Sequence, residues 1–143
     1  MTIVKIDDLD QRIISVLRKD AKAPIREIAQ ITKTKTPTVH QRIQRLVASG
    51  IIERYTLKLN SQAIGEGLTA ILLISTQKPL PAVAFEHDTI KEAFAISGEF
   101  DHLIKLKCRD LTHLNQIMID LKNNYPLQSM QSIIAVSTIK EEL

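Results

Sequence analysis

Pro24-Ile25-Arg26-Glu27-Ile28-Ala29-Gln30-Ile31, then Thr32-Lys33-Thr34-Lys35, then Thr36 through Ser49, closing on Gly50-Ile51-Ile52-Glu53-Arg54-Tyr55, is the stretch that decides how the first part of this chain folds. Ile25, Ile28 and Ala29 share one side of a short helix that follows Pro24, a residue suited to a first helical turn. A polar turn separates it from a second helix. Thr36 followed by Pro37 predicts that helix's start, with the threonine hydroxyl as the cap. Val39, Ile43, Leu46 and Val47 fall on one side of it when successive residues turn by about 100°. Thr38, Gln41, Gln44 and Arg45 collect on the far side, with His40 and Arg42 on the flanks. Gly50 supplies a left-handed stop. Two helices joined by a tight polar turn make a helix-turn-helix, whose second helix can enter a major groove.

Toward the N-terminus, Ile6, Leu9, Ile13, Val16 and Leu17 recur three or four apart and predict a helix from about Asp7 to Lys19. Asp7, Asp8 and Asp10 lie at its start and Arg18 and Lys19 at its end, each sign where the helix dipole favours it. Asp20 to Ala23 is a connector. Beyond Gly50, Ile52–Leu59 alternates apolar and polar residues and reads as a strand. The first domain is placed at 1–59, and Asn60 to Gly67, with two glycines, is read as a hinge.

Residues 68–143 change pattern. Leu68–Thr76 reads as a strand apolar on both faces, Leu80–His87 as a short helix entered through Pro79 and Pro81, and Lys91–Ser97 as a second strand. Gly98-Glu99-Phe100-Asp101 is a turn, His102–Cys108 a third strand, Leu111–Asn123 an amphipathic helix and Met130–Thr138 the last strand. The order βαββαβ predicts a ferredoxin-like α+β domain, a four-stranded antiparallel sheet with both helices on one face. Strands apolar on both faces imply that the open face is covered as well, and a second copy of the chain is the expected cover. Leu72, Ile74, Ile104 and Ile134 are the residues expected to need it.

The 143 residues suffice for two small domains, and 44% hydrophobic with 24% charged residues describes a soluble globular chain. Aromatics are only 3% and Trp is absent, so Ile, Leu, Val and Ala must build the cores. No apolar run approaches the ~18–20 residues of a membrane span. Met1-Thr2-Ile3-Val4-Lys5 lacks a signal-peptide pattern, and Cys108 stands alone in an apolar strand, so a cytoplasmic location is expected. Residues 1–60 carry twelve Lys and Arg against six acids, a net +6, whereas the remainder carries seven against ten, a net −3. A basic first part joined to a mildly acidic second part predicts that only the first meets a polyanion.

These residues together resemble the Lrp/AsnC, or feast/famine, transcription regulators over nearly the whole chain. Leu9-Asp10 with Ile14 and Leu17, Asp20-Ala21 and Arg26-Glu27-Ile28-Ala29 resemble the family's opening. Val39-His40-Gln41-Arg42-Ile43-Gln44-Arg45-Leu46 with Gly50-Ile51-Ile52-Glu53-Arg54-Tyr55-Thr56 resembles its recognition helix and wing strand, and the first domain is therefore expected to be winged-helix-like. Gly98-Glu99-Phe100-Asp101 resembles the Gly-x-x-Asp turn of its effector domain, and Ser132 to Thr138 its last strand. Three features depart from the family. Lys33-Thr34-Lys35 stands where Gly-Leu-Ser is usual, Leu127 replaces a glycine, and the segment between Pro79 and Thr89 is short.

The expected function is sequence-specific binding of double-stranded DNA by a transcription regulator. Thr38, Gln41, Gln44 and Arg45 are the expected base readers, Arg for guanine and Gln for adenine, and Thr36 is counted with them among the DNA-binding residues. Lys33, Lys35, Arg42 and Arg54 are expected on phosphates, with an internal brace between helices as a further role open to Arg42. The resemblance implies an effector site of Gly98, Phe100, Asp101, Leu111 and Ser132 for a small amino acid, at a boundary between dimers. It implies a homodimer that assembles to a tetramer or octamer. A plain solvated helix back and a purely structural Gly98–Asp101 turn are the competing readings of these two sets. The alternatives in function are a nucleoid-organising protein without a ligand and, with little support, a small ferredoxin-like enzyme. No catalytic residue, cofactor or metal is expected: no nucleophile has a matching base, and His40, His87, His102 and His113 lack the close pairing of a metal site.

Overall fold

Asp7 and Asp10 start the first helix by capping each other. Asp10 N–H donates to Asp7 Oδ1 at 2.9 Å and Asp7 N–H to Asp10 Oδ2 at 3.0 Å, so two of the helix's orphan donors are satisfied. Helix α1 (Asp8–Lys19) follows, then α2 (Ile25–Thr32) and α3 (Thr36–Ala48). Their apolar sides meet in one small core in which Ile13, Ile28, Val39 and Leu46 are fully buried, with Leu9, Ile14, Leu17, Ile25, Ile43, Ile51 and Ile52 packed around them.

The computed structural model describes residues 4–142, which form two compact units, one up to Leu57 and one from Lys58 onward. The second contains β1 (Leu68–Thr76), a 3₁₀ turn (Ala82–Phe85), β2 (Ile90–Ala95), β3 (His102–Cys108), α4 (Leu111–Asn124) and β4 (Leu127–Ile134). All pairings are antiparallel and the strand order is β2-β3-β1-β4. Alternation along β1 and β3 sends Ala70, Leu72, Ile74, Ile104, Leu106 and Cys108 to one face, where Leu114, Ile117 and Leu121 of α4 cover them. Burial in this core pushes the Cys108 thiol's pKa up, which keeps it protonated and inert.

Several expectations are corrected. Residues 52–59 form no strand. Tyr55, Leu57 and Leu59 are exposed, no strand within the described residues lies alongside, and alternation without a partner ladder makes no sheet. The helix expected at Leu80–His87 shrinks to the 3₁₀ turn. Pro81 biases Leu80 away from the helical region and leaves too few residues for a helix. Among the described residues, only α4 therefore covers the sheet as a helix. The last strand runs Leu127–Ile134 instead of Met130–Thr138: its pairing with β1 ends with Ile134 opposite Ala70, and Ala135 N–H to Thr69 O at 3.0 Å is the last backbone contact, so the residues beyond have no ladder to join. Thr36 is the first helical residue and not the cap; Lys35 takes the cap position, without a side-chain hydrogen bond. Leu72, Ile74 and Ile104 need no second copy, since α4 buries them completely, and Ile134 lies on that same side at the sheet edge. The uncovered face carries Ile71, Leu73, Phe94, Leu103 and Ile133.

Lys33 ends α2 in the left-handed conformation, φ 53° and ψ 46°, with its N–H shared by the carbonyls of Ala29 and Gln30. A side chain there is strained, and glycine would relieve the strain at some entropic cost. Lys33→Gly is expected to stabilise the N-terminal unit by about 1 kcal/mol, read as a higher unfolding midpoint. An unchanged or lower midpoint would show that the turn holds no strain.

Candidate nucleic-acid interface

The core-facing side of α3 determines what the rest of the helix can present. With Val39 and Leu46 fully buried and Ile43 partly so, Gln41 and Gln44 emerge on the opposite, exposed side, flanked by Thr36, Pro37 and His40. Thr38 is half-buried. Glutamine side chains offer a donor and an acceptor side by side, the pattern that pairs with adenine in a major groove.

The arginines of α3 behave differently. Arg42 Nη1 binds Asp7 and lies 3.1 Å from Asp10 Oδ1, and Arg45 Nη2 binds Asp10 Oδ2. Asp10 is completely buried, so this carboxylate holds both guanidinium groups against the start of α1. Arg45, expected at base edges, is committed to this brace, and so is Arg42, whose alternative role was foreseen. Burying a carboxylate is tolerable only when it is paired in this way. The Arg42 guanidinium holds the Asp7 carboxyl down at about 2, and Asp7 in turn raises the pKa of Arg42. Arg12 adds a second tie, donating from Nη1 to Thr32 O at the end of α2 at 3.2 Å.

Where α2 meets α3, a shallow groove is lined by Arg26, Ala29, Gln30, Lys33, Thr34, Lys35, Thr36, Pro37 and Thr38. Three cations around the N-terminus of α3 suit a backbone phosphate, because the helix dipole adds to their field. Arg26 was missed in the sequence, although it lies seven residues before Lys33 and so on the same side of α2. Arg54 is exposed on the extended segment after α3.

The five residues expected to bind an effector do not converge within one copy. Asp101 closes a turn: its Oδ2 accepts from Thr76 N–H at 2.7 Å, its N–H donates to Ile74 O at 2.9 Å, and its carbonyl accepts from Ile96 N–H at 2.9 Å. Gly98 has φ +132°, which a side chain would strain. Phe100 is half-buried, and Ser132 is exposed on edge strand β4 opposite Leu72. Leu111 is exposed at the start of α4. It lies beyond the far end of β3 from Asp101, roughly 20 Å away for a strand of this length. A small ligand touching both Asp101 and Leu111 would need parts of two copies.

Comparison with known proteins follows the same division. The AsnC-type helix-turn-helix domain matches residues 6–47, and the Lrp/AsnC ligand binding domain matches residues 70–143. An HTH-type transcriptional regulator, FL11, of Pyrococcus abyssi is 32% identical over 96% of this chain and 94% of its own length. The FL11 regulator of Pyrococcus furiosus is 29% identical over 95% and 93%. Among solved structures, an AsnC family transcriptional regulator from Agrobacterium tumefaciens superposes with a TM-score of 0.90 at 21% identity, covering 96% of this chain and 94% of that one. A Neisseria meningitidis transcriptional regulator in complex with L-Met gives 0.89 at 21% identity with the same coverage. Among the described residues, no helix is long and apolar enough to cross a membrane.

The depressed Asp7 carboxyl makes a pH prediction. Its folded value lies below the ordinary 3.8, so its contribution to stability is present above pH ~4 and lost as pH falls through about 2. Asp7→Asn should flatten the stability profile between pH 4 and 2, measured by denaturant unfolding at stepped pH. Profiles of equal slope for wild type and variant would mean that the Arg42–Asp7 pair contributes nothing.

Proposed function

The chain belongs to the Lrp/AsnC family of transcription regulators, and on that footing we propose that it reads an operator through the outward face of α3 while its second domain pairs copies and senses a small amino acid. The carrying observation is the division of labour on α3. Gln41 and Gln44 are free on the exposed face, whereas Arg42 and Arg45 are tied to Asp7 and Asp10. Base reading falls to Gln41 and Gln44 with Thr36, Thr38 and the adjacent His40; phosphate contact falls to Lys33, Lys35 and Arg26 in the α2–α3 groove and to Arg54 beyond α3. The protein acts as a regulator and not as an enzyme, in the compartment that holds the DNA.

The second domain supports pairing through the uncovered sheet face. Phe94 is 52% exposed and Ile133 44%, with Ile71, Leu73 and Leu103 half-buried between them. Exposed apolar surface of this kind favours a second copy. Two copies related by a two-fold axis present two α3 helices, which calls for inverted half-sites about one helical turn apart or a multiple of it. The amino-acid reading is supported by the ligand-binding family of this domain and by the L-Met held by the Neisseria relative in fold. Gly98 and Asp101 from one copy, with Leu111 and Ser132 from another, would form the site between dimers in a tetramer or octamer.

Gln41→Ala and Gln44→Ala should each weaken operator binding by about 1–3 kcal/mol with little loss on random DNA. Lys35→Ala should weaken both alike and lower the salt slope by about one. Competition titrations at several salt concentrations check this. Equal losses for all three variants on both DNAs would leave a DNA-organising protein without base reading. Leu73→Asp, on the open face, should convert the dimer to a monomer in sedimentation, and an unchanged dimer would move the interface elsewhere.

A further inference from the structure

The sheet face opposite α4 has a second, polar half. Lys105 and Lys107 alternate with the buried Ile104 and Leu106 along β3 and so project to that face. Both are bound to one residue from the end of the chain. Glu141 Oε1 forms an ion pair with Lys105 Nζ at 2.6 Å, and Oε2 accepts from Lys107 Nζ at 2.8 Å. Lys107 also donates to Ser61 Oγ at 2.7 Å, and Lys105 lies 3.0 Å from Glu92 Oε1. The cluster is well enclosed for a surface ion group: the Lys107 side chain is 12% exposed and Glu141 20%. The two lysines hold the Glu141 carboxyl at about 2, and Glu141 raises the pKa of Lys105.

The segment that delivers Glu141 is held by little else. After Ala135 no backbone hydrogen bond anchors it among the described residues, and Val136 and Ile139 are 99% and 98% exposed. A strap with exposed apolar side chains is tethered by one carboxylate that two lysines grip at separate oxygens. That is how a free oxyanion would be bound.

We propose that Lys105, Lys107 and Ser61 form an oxyanion-binding cradle, that Glu141 is its built-in occupant, and that a small carboxylate or phosphate ligand binds by displacing the C-terminal strap. With Glu141 gone, the two lysines face Glu92 alone and the cluster carries a net positive charge. The tethered carboxylate competes at an effective concentration of roughly millimolar order, as flexible linkers supply. The ligand therefore meets an autoinhibited site, and its binding frees the strap beside Ile71, the register neighbour of Lys105 on β1. The cradle's residues all come from one copy and do not depend on which amino acid the domain senses, and they lie on the same sheet face as the apolar residues proposed to pair copies.

The test uses the full chain, ¹⁵N-labelled, with inorganic phosphate and with propionate, the Glu141 side chain without its backbone. In wild type, either anion should shift the Ser61 and Lys107 amides while the amides of residues 136–142 move to sharp, random-coil positions. Glu141→Gln should release the strap without ligand and tighten anion binding about tenfold. Lys107→Met and Lys105→Gln, checked for intact amide dispersion, should abolish binding in the Glu141→Gln background. Binding of phosphate alone assigns a phosphoryl ligand, and binding of both a general oxyanion site. The proposal is overturned if Glu141→Gln leaves the strap amides in place, if its affinity is no greater than wild type, or if neither anion binds it.

Discussion

The carboxylate of Asp10 is completely buried, and the N-terminal unit is arranged around the need to neutralise it. One oxygen receives Arg42 and the other Arg45, so the start of α1 is clamped to the middle and end of α3. The same carboxylate accepts the Asp7 N–H and closes the capping box. A buried charge deprived of its partners is expensive, whereas a fully paired one mainly fixes geometry. Here the geometry fixed is the roll of α3 about its own axis. Val39 and Leu46 set that roll from the apolar side and the two arginines from the polar side. Gln41 and Gln44 are left pointing outward, as the proposed reading of an operator requires.

A different constraint governs the C-terminal unit. A four-stranded sheet with one covering helix has two faces and cover for one. α4 buries the face of Leu72, Ile74, Ile104 and Leu106. The other face is handled in two ways along its length. Its apolar half, with Leu73, Phe94 and Leu103, is suited to a second copy. Its charged half, with Lys105 and Lys107, is closed by the chain's own Glu141. The proposed pairing surface and the proposed anion cradle thus share one face, so that binding at one half would influence the other, with reciprocal coupling.

Much of this was legible in the sequence wherever the signal is local. Leu68–Thr76 and His102–Cys108 are observed with the bounds that their apolar patterns predict, and Asp7 marks the start of α1 through its own capping chemistry. What failed depends on partners distant in sequence. Residues 52–59 alternate like a strand but lack a neighbour, and β4 ends where its pairing with β1 ends, opposite Ala70. A helical wheel puts Arg45 on the polar side of α3, yet cannot show that Asp10, 35 residues earlier, lies within its reach. Lys33 shows the opposite case. It stands in the turn where the resembling family carries glycine, and it adopts the left-handed φ that glycine favours. The cradle at Lys105 and Lys107 left no sequence signal, because its occupant comes from the far end of the chain.

The central claim is that Asp10 orients α3 through Arg45, leaving the glutamines to read DNA. A double-mutant cycle on unfolding free energy, with Asp10→Asn, Arg45→Gln and the pair, tests it most directly. The account predicts a favourable coupling of about 1–3 kcal/mol between the two positions. A coupling below about 0.5 kcal/mol would contradict it, and would return Arg45 to the DNA.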